Sequence, residues 1–191
     1  ILWSKISDIE KADGIITKTE EHITNEGLKA IRNRIFSKGT LLFAMYGSVG
    51  KTAIAGTKLT INQAILGITI NNKNVLDVSY LRHWLGSQQL KFMKDARGVA
   101  QKNLSAGYIR DLKIPLPPLE EQKRLADILD KAEVLRQKRQ QAIELADQLL
   151  RSVFLDTFGD PVLNPKNFKV EKIKNHLINA TNGLARRKKE L

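Results

Sequence analysis

The sequence predicts an α+β protein, a β-rich globular part followed by one long helix that needs a partner helix. Three observations predict it. Residues Ile114 to Gln122 end a strand-like stretch, break the chain with Pro115, Pro117 and Pro118, and open a helical pattern that runs almost without interruption to Phe158. Before that junction, short β-prone apolar runs alternate with glycine-bearing and polar turns. After it, apolar residues recur at alternating spacings of three and four, which is the seam of a coiled coil.

The elements follow in order. Thr24 to Ile31 reads as a short capped helix, and Thr40 to Tyr46 as a strand entered from the Lys38-Gly39 turn. Lys51 to Gly56 and Ala64 to Ile70 read as two more strands, giving a hairpin-rich sheet. Val78 to Lys94 has helical spacing at Leu81, Trp84, Leu85, Leu90 and Met93. Gly86 weakens that helix at mid-length by about 1 kcal/mol. A polar loop, Arg97 to Asn103, follows, and Ser105 is placed to cap a short helix ending near Asp111.

A helix from Pro118 to Thr157 would be about 60 Å long at ~1.5 Å per residue, more than a domain of this size covers by itself. Pro118 suits a first turn, where its missing N–H has no intrahelical acceptor, and Glu120 and Glu121 sit at the positive end of the helix dipole. Gly159 tolerates a left-handed cap, and Asp160-Pro161 stops the helix. The seam is Leu125, Ile128, Ala132, Leu135, Arg139, Ala142, Ala146, Leu149 and Val153, widened by Leu129, Ile143 and Leu150. The alanines let a partner backbone approach, while Arg139 is expected to fix register or reach solvent. Beyond the helix, 158–167 reads as a loop, Phe168 to Leu177 as the first strand and turn of a further unit, and 186–191 as a solvated end. The expected division is 1–117, 118–158 and 159–191.

With 191 residues, no cysteine and a net charge of +12, neither disulfides nor thiolate metal sites are available. No apolar run approaches the ~20 residues needed to cross a bilayer, and no secretion signal opens the chain, so a soluble, cytoplasmic protein is expected. Residues 1–118 carry 17 Lys/Arg against 9 Asp/Glu, residues 119–157 carry 7 against 8, and residues 158–191 carry 8 against 3. Basic flanks on a charge-balanced helix suggest that the globular part meets a polyanion and the helix meets protein.

Gly47-Ser48-Val49-Gly50-Lys51-Thr52 looks like a phosphate-binding loop, but only two residues separate its glycines where four are needed to wrap phosphates. The strand-like Ala53 to Thr57 behind it offers no helix N-terminus. A tight β-turn exposing Ser48 and Lys51 is expected instead. His22, His83 and His176 lack metal-ligand spacing. No Asn-Pro-Pro-aromatic or Asp-Pro-Pro-aromatic run is present. Neither catalysis nor a metal site is expected of this chain.

The run Pro115-Leu116-Pro117-Pro118-Leu119-Glu120-Glu121-Gln122, followed by Arg124 to Asp130, resembles the end of a target recognition domain and the start of the following helix in type I restriction-modification specificity subunits. Ile23 to Leu28, Lys38 to Leu42, Gly47 to Ala55, Asn62 to Ala64 and Phe158 to Pro161 resemble that family's internal motifs in the same order. The resemblance implies sequence-specific binding to half of a split double-stranded DNA target, with the helix as a ruler to the other half. It implies partners too: a modification (methyltransferase) subunit using S-adenosylmethionine and an ATP-driven restriction subunit, with no cofactor in this chain. A segment that normally precedes the motif at Ile1 to Ile9 is missing, and something similar stands at Phe168 to Lys174. The chain is then either part of a two-domain subunit or one whose tail completes its first domain. A half-sized chain would find its partner helix in a second copy, as an antiparallel homodimer.

Base edges are read by Arg, Lys, Asn and Gln on loops, with phosphate contacts fixing register. The candidates are Lys18 and Thr19, then Tyr46, Ser48 and Lys51 on the tight turn, and Arg97, Gln101, Lys102 and Asn103 on the polar loop. Asn62 and Gln63 are expected to satisfy backbone groups between strands. The alternatives are a coiled-coil adaptor whose basic domain docks on an acidic protein, and a nucleotide-binding enzyme using the Gly-Lys-Thr turn.

Overall fold

A computed structural model describes residues 1–96 and 103–181, which fall into two units, Ile1–Leu135 and Arg136–Leu191. In chain order the first unit holds β1 (Leu2–Ser4), α1 (Ile6–Lys11), β2 (Ile15–Ile16), β3 (Glu21–His22), α2 (Asn25–Ala30), β4 (Leu41–Ala44) and β5 (Thr52–Ala55). It continues with β6 (Thr60–Ile61), β7 (Ile65–Ile68), α3 (Val78–Ser87), α4 (Gln89–Asp95), α5 (Ala106–Arg110) and the first turns of α6 (Leu119–Phe158). The class is α+β, as expected.

Strand β4 is the centre. Its four residues are all buried because both of its faces are covered. Leu42 and Ala44 point into one core with Ile9, Ile16, Ala53, Ala55, Leu59 and Ile65. Leu41 and Phe43, on the opposite face, join Val49, Leu81, Leu85, Phe92, Leu104 and Ile109. The sheet order is β2-β5-β4-β7, antiparallel from β5 through β4 to β7. The expected hairpin is therefore there, but β2 joins β5 in parallel. A second sheet, β3-β1-β6, likewise pairs β1 in parallel with β6. These parallel pairs come from the first residues returning to the hairpin's neighbours, which a strand-by-strand reading does not reveal.

The caps are the ones the residue types dictate. Thr24 accepts from the Gly27 N–H and Ser105 from the Tyr108 N–H. The helix expected over 78–94 is two helices. Ser87 Oγ donates to the Trp84 carbonyl at 2.7 Å, and the Gln88 N–H turns to the Leu85 carbonyl at 3.0 Å, which closes α3 and restarts the chain as α4.

In the second unit, α6 ends where expected: Gly159 has φ of +80° and donates its N–H to Leu155 at 2.7 Å. Lys166 Nζ donates to the last carbonyls, Asp156 and Thr157, at 2.9 and 2.6 Å. The strand expected over 168–177 does not form. The Asn164 side chain takes both the N–H and the C=O of Phe168, at 2.9 and 2.7 Å, and the chain then makes a single 3-10 turn at Ile173–His176. Two of Phe168's ladder groups are thus already occupied by a side chain.

Candidate nucleic-acid interface

The turn between β4 and β5 is built by its glycines and by one buried valine. Gly47 and Gly50 take φ of +63° and +87°. At Gly50 a Cβ would also lie 3.0 Å from the Phe92 ring, so no other residue fits without strain. Gly50 N–H donates to the Ala44 carbonyl at 3.1 Å, and Lys51 N–H to Ser48 at 3.1 Å. Val49 is pulled into the core, which leaves Lys51 exposed on the far side of the turn. The strand β5 follows directly, so no helix N-terminus faces this turn.

Four of the sequence candidates meet here. Tyr46 forms an antiparallel bridge with Asn103, reinforced by Leu104 N–H donating to the Met45 carbonyl at 3.0 Å. Ser48 differs from its expected exposure: half-buried, it donates to the Glu10 carboxylate of α1 and braces the turn. Lys18 is exposed, and Thr19 Oγ1 donates to the Glu21 carbonyl at 2.7 Å. Their loop hangs from α1 as well, since Asp8 accepts the Glu20 N–H at 3.0 Å and Lys11 pairs with Glu20. That hydrogen-bonded contact raises the Lys11 pKa and lowers the Glu20 pKa. Arg97, Gln101 and Lys102 lie outside the described residues. Flanking them, Tyr108 Oη donates to Asp95 at 2.5 Å, and burial together with this bond pushes the Tyr108 pKa up to about 12.

Beside the turn lies a cleft of about 830 Å³. Met45, Phe36, Ile61 and Leu66 contribute to its apolar floor, and Arg32, Arg34 and Arg110 line it as well. These arginines were not singled out in the sequence, because they are scattered over almost 80 residues and meet only in the fold. Asn62 does what was expected, accepting the Ala64 N–H at 3.2 Å, whereas Gln63 is exposed on the cleft.

The long helix is gripped at its root. Gln122 is fully buried, accepts the Asp77 N–H at 3.0 Å, and donates to the carbonyls of Val75 and Pro117 at 2.9 and 2.8 Å. Tyr80 Oη donates to the Pro115 carbonyl at 3.0 Å, and Asp130 receives Arg82 and His83 from α3. Along the seam Leu125 is half-buried, whereas Leu135, Leu149 and Val153 are 52%, 63% and 54% exposed. Ala132, Arg139, Ala142 and Ala146 are exposed as well. Among the described residues no cluster of His, Asp and Glu could hold a metal ion, and no helix is long and apolar enough to cross a membrane.

A domain with basic loops is thus clamped to the root of a 40-residue helix. Residues 5–145 match the family model "Type I restriction modification DNA specificity domain", and the chain belongs to that family. It is 28% identical over 163 residues to the type I restriction enzyme MjaIX specificity subunit of Methanocaldococcus jannaschii, covering 84% of this chain and 37% of that protein. With the putative MjaX specificity subunit of the same organism it shares 31% over 144 residues, covering 71% and 34%. The chain thus spans about a third of the length of these curated relatives. A solved structure described as showing assembly and conformational transition of the type I R-M system shares the fold, with a TM-score of 0.59 at 21% identity over 82% of this chain and 37% of that one.

Proposed function

We propose that this chain is the part of a type I specificity subunit that reads one half of a split double-stranded DNA target, with α6 as the spacer to the other half. The observation that carries the reading is the basic turn at Lys51, joined to Asn103 through the Tyr46 bridge, on a domain whose α3 region grips the root of α6. Family membership supports it and weighs against the adaptor, in which the basic domain would have no base to read.

In this reading the exposed seam of α6 takes a second, antiparallel helix, from another recognition half or from a second copy of this chain. The paired helices offer docking surface to a methyltransferase subunit and, through it, to a restriction subunit. S-adenosylmethionine and ATP belong to those partners. This chain contributes recognition and not catalysis, within the cytoplasm where such complexes meet DNA.

Selection from a random duplex pool tests the proposal. Enrichment of a short common sequence, with binding that weakens steeply as salt rises, is the expected result. Enrichment of nothing, together with salt-sensitive capture of acidic proteins, would favour the adaptor.

A further inference from the structure

The cleft beside the turn has features that the recognition loops do not need. Its lining holds three arginines and neither Asp nor Glu. Among the described residues, none of Arg32, Arg34 and Arg110 has an ion-pair partner. An apolar floor with uncompensated positive charge above it is complementary to a ligand that is anionic on one side and apolar on the other.

The arginine segment is also held in place before any ligand arrives. Arg32 and Asn33 both lie in the left-handed region, at φ of +58° and +52°. Asparagine tolerates that conformation; arginine adopts it less readily. The surroundings hold it there. Asn33 N–H donates to the Leu28 carbonyl at 2.9 Å, Thr60 Oγ1 to the Arg34 carbonyl at 2.7 Å, and Phe36 N–H to Leu59 at 2.8 Å. Arg32 N–H also donates to the Lys29 carbonyl at 2.9 Å, so the left-handed pair is the C-terminal cap of α2 and fixes where Arg32 and Arg34 stand.

Position narrows the ligand. Met45 lines the cleft, and the next residue, Tyr46, makes the bridge that joins the turn to Asn103. The cleft therefore begins one residue from the turn. Deoxyribose suits its apolar floor and phosphodiesters suit its arginines; the floor itself is closed by the Phe36 ring lying against Gly67, where a Cβ would fall 2.2 Å from that ring.

We infer that this cleft clamps one strand of the bound DNA, with Arg32, Arg34 and Arg110 holding its phosphodiesters beside the base-reading turn. The inference rests on the DNA-recognition reading above and assigns these arginines to register and affinity, not to sequence choice.

The test uses the whole 191-residue chain, a random-sequence 30-base-pair duplex and the duplex enriched by selection, titrated at several salt concentrations. Each of R32A, R34A and R110A should lower the slope of log affinity against log salt by about 0.9, to the same extent on both duplexes. The corresponding lysine variants should keep the slope. Thermal midpoints should stay put, since all three side chains are exposed. A triple alanine variant with the wild-type slope, alongside a K51A variant that loses affinity, would overturn the clamp and leave DNA recognition standing. Loss confined to the selected duplex would make the arginines base readers and reject the phosphate assignment. Loss of heparin binding with duplex binding intact would mean that the cleft holds some other polyanion. Absence of salt-sensitive duplex binding by the unmodified chain would remove the reading on which the clamp rests.

Discussion

Lys51 is exposed because its neighbour Val49 is not: the core fixes the turn, and the turn aims the lysine outward. If it meets phosphate, K51A should weaken binding to every duplex alike and flatten the salt dependence by about one unit of slope, with the melting temperature unchanged. Replacing Asn103 should act differently, relaxing preference at one base pair by about 1–3 kcal/mol if it reads an edge. Tyr108 gives a second handle at this scale. Its protonated form is favoured in the folded state, where its pKa stands at about 12 against an ordinary value of 10.0. Its contribution is therefore fully present below pH 10 and is lost as pH rises through 12. Denaturant titrations should show a stability decline over that window that Y108F lacks. A decline of equal size in Y108F would place its cause elsewhere.

At the scale of elements, the most legible feature was the junction of prolines with the Glu-Glu-Gln run, and the structure shows why that run is special. A glutamine in the first turn of a helix is usually solvated, yet Gln122 is buried with its side chain making three hydrogen bonds to backbone groups. Q122L would preserve volume and strand those partners, at about 1–3 kcal/mol for each group left unpaired. A lowered denaturant midpoint, with α-helical circular dichroism retained along the rest of α6, is the expected outcome. An unchanged midpoint would show that the latch does not hold the helix root. The caps at Thr24 and Ser105 and the Gly159 stop were readable for the same reason as the junction, since each depends on a few residues in a row. The break between α3 and α4 was half-readable: Gly86 marked a weak point, but the Ser87 hydroxyl bond that helps close α3 depends on a rotamer, and the Gln88 N–H bond to Leu85 on the local turn of the backbone. The strand expected at 168–177 failed on a competitor outside its own span, the Asn164 side chain.

For the whole molecule, what stayed hidden was whatever distant segments build together. Alternation in β4 could not be seen because both of its faces are buried, and the parallel partners of β1 and β2 are about 40 to 60 residues away in the chain. The arginine cleft has the same origin. The spacing from Leu125 to Val153 was read as a coiled-coil seam, and the exposure of that stripe states what the reading requires. Leu135, Leu149 and Val153 are each more than half exposed along α6. Each leucine fully buried by a partner contributes about 1.5–3 kcal/mol, enough over several positions to drive association once the cost of joining two chains is met. A second copy running antiparallel can bury this seam while the small side chains of Ala132, Ala142 and Ala146 allow close approach, and Arg139 can reach solvent at the seam's edge. Sedimentation of the full chain should therefore show a monomer-dimer equilibrium that L135E and L149E shift to monomer, without lowering the melting temperature of the Ile1–Leu135 unit. A chain that stays monomeric at high concentration before any substitution would mean that its seam takes a helix from a different recognition half. A dimer indifferent to both glutamates would place the interface off the seam and remove the spacer role from α6.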